Sequence, residues 1–110
     1  MNQPTNVVVK PAAPENHAHW CQLYHGYAQF YKVPMNDEIL AKTWSWIMDP
    51  DHEVEGLLAF LDGQDTPCGL AHVRRMPSPL RGIEIGFLDD MFVDPSSRGN
   101  QVGEALFKAL

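Results

Sequence analysis

Cysteine is scarce in this sequence. Cys21 and Cys68 are the only two, and their separation matches no metal-binding spacing. Two cysteines cannot build the dense disulfide framework that small secreted domains rely on. The chain is therefore expected to fold around an apolar core and to keep free thiols in a reducing compartment. Long apolar runs are also lacking: nothing approaches the ~20 residues that a membrane span needs, and no charged segment followed by an apolar one opens the chain. The expected location is cytoplasmic, with no membrane partner. Positive charge is thin. Eight Lys and Arg against 14 Asp and Glu leave a net charge of −6, which argues against nucleic acid as a partner, because phosphate backbones demand clustered cations. The five histidines form no ligand pattern with the cysteines. His17-Ala18-His19 lacks a third ligand, so no metal is expected.

What is present suits one packed domain. The 110 residues are 45% hydrophobic and 20% charged, with no repeats or linkers. The β-branched run Val7-Val8-Val9 predicts a first strand over 5–10. Pro14 and Glu15 suit a helix start, and Trp20, Leu23, Tyr24, Tyr27, Phe30 and Tyr31 recur at helical spacing, so a first helix is expected over 14–31. Gly26 inside it marks a bend or a close approach. Asn36 or Asp37 can cap a second helix over 37–48, which Pro50 ends. A strand is then expected over Glu53 to Gly63, closing in a turn at Asp62-Gly63, with the alternating Cys68 to Met76 as its hairpin partner and a long strand over Ile83 to Val93, with Gly86 as a candidate bulge. From Arg98 or Gly99 onward the pattern is helical. The order β-α-α-β-β-β-α points to an α+β fold with a mostly antiparallel sheet, forming one domain over 1–110.

The segment "VDPSSRGNQVGEAL" (Val93 to Leu106) joins the last strand to the last helix. Gly99 and Gly103 have no Cβ to block a bulky group, Arg98 adds charge, and Ser96 and Ser97 add hydroxyl donors. Successive backbone N–H groups there would form an anion nest at the helix start. The other reading is a plain strand–turn–helix connection.

Here the residues carry a likeness. "LDDMFVDPSSRGNQVGEALFKAL" resembles the central motif of the GCN5-related N-acetyltransferases, at Leu88, Asp89, Asp90, Val93, Pro95, Arg98, Gly99, Gly103, Ala105 and Leu106. Gln101 departs from it, standing where the family usually has its middle glycine. The upstream element order also fits. The resemblance implies an acetyl-CoA-dependent N-acetyltransferase for a primary amine: a small amine, a polyamine or a protein Lys. It implies that Met91, Phe92 and Val93 lend backbone to the pantetheine arm. Arg98, Gly99, Asn100, Gln101, Val102 and Gly103 would take the diphosphate.

The neutral amine is the nucleophile, and near pKa ~10.4 deprotonation at pH 7 costs about 4–5 kcal/mol. A base must relay that proton, and Asp89 and Asp90 are the candidates on the strand; the resemblance implies Asp89 as the general base, with Asp90 second. Neighbours on a regular strand face opposite ways, so one of the two is expected to face the cleft; Glu84 is a lesser candidate. Tyr27 and Tyr31, with Trp44, could form an aromatic wall for a cationic acceptor, although stripes at helical spacing are more often core. The resemblance also implies further strands and a Tyr-bearing helix after Leu110. Three accounts fit the early stop: a piece of a longer protein, a homodimer, or a non-catalytic CoA-binding or self-assembling remnant.

Overall fold

A computed structural model describes residues 6–99 and 101–109. The expected site residue Asn100, and the outermost residues of the first strand and last helix, Thr5 and Leu110, lie outside them.

Four strands form one antiparallel sheet in sequence order. They are β1 (Val7–Pro11), β2 (Val54–Leu61), β3 (Gly69–Ser78) and β4 (Ile83–Val93). Two helices, α1 (His17–Tyr31) and α2 (Asp37–Ile47), lie between β1 and β2, and α3 (Val102–Lys108) follows β4. The protein is α+β in the order the sequence predicts.

The alternation of each strand sorts its side chains to two faces. Leu58, Phe60, Leu70 and Phe92 meet Trp20, Leu23 and Leu40 of α1 and α2 on one face. Ala59 and Ala71 meet Val102 and Leu106 of α3 on the other, with Leu88, Met91 and Val93 beside them. Trp20 is fully buried and anchors the first layer. Gly26 provides the expected close approach: a Cβ there would stand 2.8 Å from Phe92 Cε2. The absent side chain is what lets α1 rest on β4.

The starts of α1 and α3 differ from expectation. Residues 14–16 form a single 3₁₀ turn, so α1 begins at His17. Of the two expected caps of α2, Asn36 serves, accepting from the Ile39 N–H at 2.8 Å. The helix expected from Arg98 or Gly99 starts only at Val102: Pro95–Ser97 form another 3₁₀ turn, Arg98 is extended, and Gly99 has φ +94°.

The bulge is also elsewhere. Gly86 pairs regularly with Arg75, whereas His72 faces Asp90 and Val73 faces Leu88, leaving Asp89 as the surplus residue. A glycine cue alone placed the irregularity three residues too early. The surplus residue also overturns the expectation that one aspartate alone faces the cleft, because alternation is interrupted at that point.

Candidate functional site

The bulge brings Asp89 and Asp90 to one cavity of about 360 Å³, walled by Tyr24, Trp46, His72 and Arg74. Asp90 lies on the α1 face opposite His72. The Tyr24 hydroxyl donates to Asp90 Oδ2 at 2.9 Å, and His72 Nδ1 stands 2.9 Å from the same oxygen. On the far side of the ring, the Trp20 indole N–H donates to His72 Nε2 at 3.0 Å. Because Nε2 accepts, the hydrogen-bond pattern assigns the ring proton to Nδ1, which donates to Asp90. Asp89 is held differently: Arg74 Nε donates to its Oδ2 at 2.7 Å, and the guanidinium lies 5.2 Å from the Phe87 ring centre.

These contacts set the local electrostatics. Burial pushes the Asp90 carboxyl upward, but hydrogen bonds from His72, Tyr27 and Tyr24 outweigh it and hold it below the ordinary carboxylate value. The phenols move the other way. Burial first, and then the Asp90 charge, raises Tyr24. Burial and the Asp90 hydrogen bond push Tyr27 up to about 12. Both tyrosines therefore stay protonated donors beside an ionised carboxylate.

A second concavity, of about 540 Å³, runs along the outer side of β4. Among the described residues that side pairs with no other strand. Met91, Phe92, Val93, Arg98, Gly99, Gln101, Val102 and Gly103 all border it, with Phe30 and Tyr31 from the end of α1. The expected loop residues thus do converge. Gly99 has nothing within 4 Å of where a Cβ would project, and Gly103 would meet Val93 and Met91 only at 3.9 and 4.0 Å. The backbone is accessible at both positions. Gln101 is left-handed, with φ 62° and ψ 25°, the conformation that favours a glycine.

Several side chains stand where the sequence did not put them. Arg98 lies across Phe30 and Phe92, at 4.7 and 5.6 Å from their ring centres, and its Nε donates to the Val93 carbonyl at 3.2 Å. The Ser96 hydroxyl donates to Asp94 at 2.9 Å within the turn, and the Ser97 side chain is buried and hydrogen-bonded with the Cys68 thiol. Tyr27 belongs with Asp90, while Tyr31 borders the β4 concavity instead. Trp44 packs on Trp20 in the core. Glu84 pairs with Pro77 in the outer hairpin and does not border the aspartate cavity.

Sequence reasoning missed His72, Trp20 and Trp46 as site residues. A signal existed for one of them. In "CGLAHVRRM" the alternation places His72 on the same face as Leu70, and a buried polar group demands partners.

Comparisons with known proteins agree with this architecture. The description "Acetyltransferase (GNAT) family" matches residues 17–110. The D-amino-acid N-acetyltransferase HPA3 of Saccharomyces cerevisiae is 28% identical over 102 residues, which cover 93% of this chain and 63% of that protein. The chain thus spans under two thirds of the length of that curated relative. A ribosomal-protein-alanine N-acetyltransferase from Brucella melitensis biovar Abortus 2308 superposes with a TM-score of 0.74 at 21% identity, covering 94% of this chain and 68% of that one. An aminoglycoside acetyltransferase from an uncultured soil metagenomic sample, in complex with sisomicin, gives 0.71 at 12% identity, covering 94% and 66%.

Proposed function

The chain belongs to the acetyltransferase (GNAT) family, and from that premise we propose that it transfers an acetyl group from acetyl-CoA to a primary amine. One adjacency carries the reading. Asp89 and Asp90 close the amine-sized cavity, and the next three residues, Met91, Phe92 and Val93, border the concavity on the edge of the same strand. Asp90 and Phe92 are two positions apart, about 7 Å along a strand. A thioester laid against the strand edge and an amine over the aspartates would meet there.

In this reading the backbone of Met91–Val93 pairs with the pantetheine arm, and N–H groups between Arg98 and Gly103, Asn100 included, take the diphosphate. Arg98 leaves the Val93 carbonyl and turns to the phosphates. The acceptor ammonium is drawn to Asp90, with Tyr24 and Trp46 as aromatic walls. Asp90 is too weak a base to keep the proton. From an amine near ~10.4 to a carboxyl below about 3.9 the transfer is uphill by roughly 9 kcal/mol or more. Asp90 therefore binds the ammonium, and the proton leaves through water. Asp89 has the more exposed side chain of the two, 29% against 17%, and is the candidate relay.

The amines in the relatives' names support an amine acceptor. The choice between a small amine, a polyamine and a protein Lys is one an acceptor panel makes. Thiol release from acetyl-CoA, measured across such a panel, tests the proposal. Amine-dependent release is expected. CoA binding with no release by any amine would favour the non-catalytic remnant, and absence of both would reject the reading.

A further inference from the structure

We propose that His72 is a positioning residue for amine capture: Trp20 fixes its tautomer, and the fixed ring holds Asp90 ionised and in one orientation at the floor of the aspartate cavity. The inference rests on the role given to Asp90 above.

Three observations carry it. The first is connectivity. Trp20 has only one polar side-chain atom, an N–H donor, and it is spent on His72 Nε2 at 3.0 Å. The ring cannot then present a proton at Nε2, so its donor is Nδ1, 2.9 Å from Asp90 Oδ2. The second is burial. Trp20 is fully buried and His72 is 2% exposed, and among the described residues no buried side-chain polar atom is left without a partner. A ring flip would strand the indole N–H and the Asp90 oxygen together. The third is geometry at the carboxylate. Tyr24 and His72 both bond Oδ2, so neither of these two bonds occupies Oδ1. Tyr27 is a third donor to the same carboxylate, and a carboxylate held in one orientation is preorganised to meet a cation.

The charged and titratable groups around Asp90 are few. His72 and Arg74 approach from β3, Tyr24 and Tyr27 from α1, and Asp89 is its neighbour on β4. Thr43 and Trp46 of α2 and Val54 of β2 complete the cavity wall and do not titrate. Arg74 is committed to Asp89. His72 and Tyr24 both reach Asp90 Oδ2 at 2.9 Å, and Trp20 decides which proton the His72 ring can offer.

Two measurements test this without turnover. Nitrogen NMR of the wild-type protein is expected to show His72 with Nδ1 protonated and Nε2 unprotonated. The opposite tautomer would overturn the proposal. Carboxyl carbon NMR then follows the titration of Asp90 in wild type, His72→Asn and His72→Phe, with n-butylammonium as the probe amine. Asn keeps a donor near the Nδ1 position, whereas Phe keeps none. The Asp90 midpoint is expected to rise in His72→Phe and to return most of the way in His72→Asn. Amine affinity at mildly acidic pH should fall about tenfold in His72→Phe and recover in His72→Asn. An Asp90 titration indifferent to both substitutions would overturn the inference. If instead the titration depends on His72 but n-butylammonium never perturbs Asp90, positioning of the carboxylate stands and amine capture, with the acetyl-transfer reading above, fails.

Discussion

Trp20 and His72 are 52 positions apart in sequence, yet the indole N–H of one lies 3.0 Å from Nε2 of the other. The contact ties α1 to β3 and, through the ring, to Asp90 on β4. Three elements of the fold thus share one hydrogen-bonded chain that ends at a charge.

Replacing that charge tests its structural weight. Asp90→Asn keeps the shape and can still set an amide oxygen where the Tyr24 and His72 donors converge, but both bonds lose their charged acceptor. A loss of about 1–3 kcal/mol is expected. The pH dependence has a definite sign. The folded carboxyl lies below its ordinary value, so its contribution is fully present above about pH 3.9 and fades as pH falls through the lower folded value. Denaturant melts should show the gap between wild type and Asp90→Asn narrowing below about pH 4. A gap of constant size would contradict the assignment.

Gly26→Ala probes the seat of α1 on β4. Alanine favours a helix by up to about 1 kcal/mol, but its Cβ would come within 2.8 Å of the Phe92 ring. Overpacking costs about 1–3 kcal/mol, so a net loss is expected. Phe92→Leu in the same chain should relieve part of it, and chemical denaturation of the four variants would measure the coupling. Additive losses would mean that the ring is not the obstacle.

Gln101→Gly addresses the left-handed turn before α3. A non-glycine residue with φ 62° carries strain of about 1–2 kcal/mol. Removing it should raise the melting temperature slightly or leave it unchanged, since glycine also loosens the unfolded chain. If the proposed diphosphate site lies there, CoA affinity should rise, because the Cβ beside it is gone. Weaker CoA binding would show instead that the Gln101 amide is a ligand.

Arg98→Ala removes a charge that lies over Phe30 and Phe92. If the guanidinium turns to the diphosphate, CoA affinity should fall about 10- to 100-fold, the equivalent of 1.5–3 kcal/mol for a charged hydrogen bond. The salt dependence of binding should weaken with it. Calorimetry at two ionic strengths reads both quantities. Unchanged affinity would leave the arginine as packing for the two rings.

The fold was legible where periodicity speaks. Val7–Val9, the Leu58–Phe60 stretch and the Trp20–Leu23–Tyr27 spacing each carry one period strongly, and each became the element it predicts. The convergence of Met91–Val93 with Arg98, Gly99 and Gly103 on one concavity was legible because the glycines leave a compositional mark. The aspartate cavity was not, for a physical reason. Its members sit at positions 24, 46, 72, 74, 89 and 90, and their meeting depends on a register shift that local composition does not encode. Gly86 offered a glycine and was no bulge, while Asp89, with nothing unusual about its neighbours, was. Tyr24 read as one more ring in a helical stripe; the tertiary fold, 66 positions on, gave its hydroxyl a carboxylate.

One surplus residue at Asp89 also changes what the rest of β4 presents. Upstream of it, Ile83 to Leu88 run in the opposite phase from Asp90 to Val93. Trimming that residue would turn five side chains over at once, sending Leu88 from the α3 face to the α1 face. A single-residue gap there is therefore far more disruptive than most substitutions nearby, and lineages that drop it would have to rebuild the arm or lose the paired acids together.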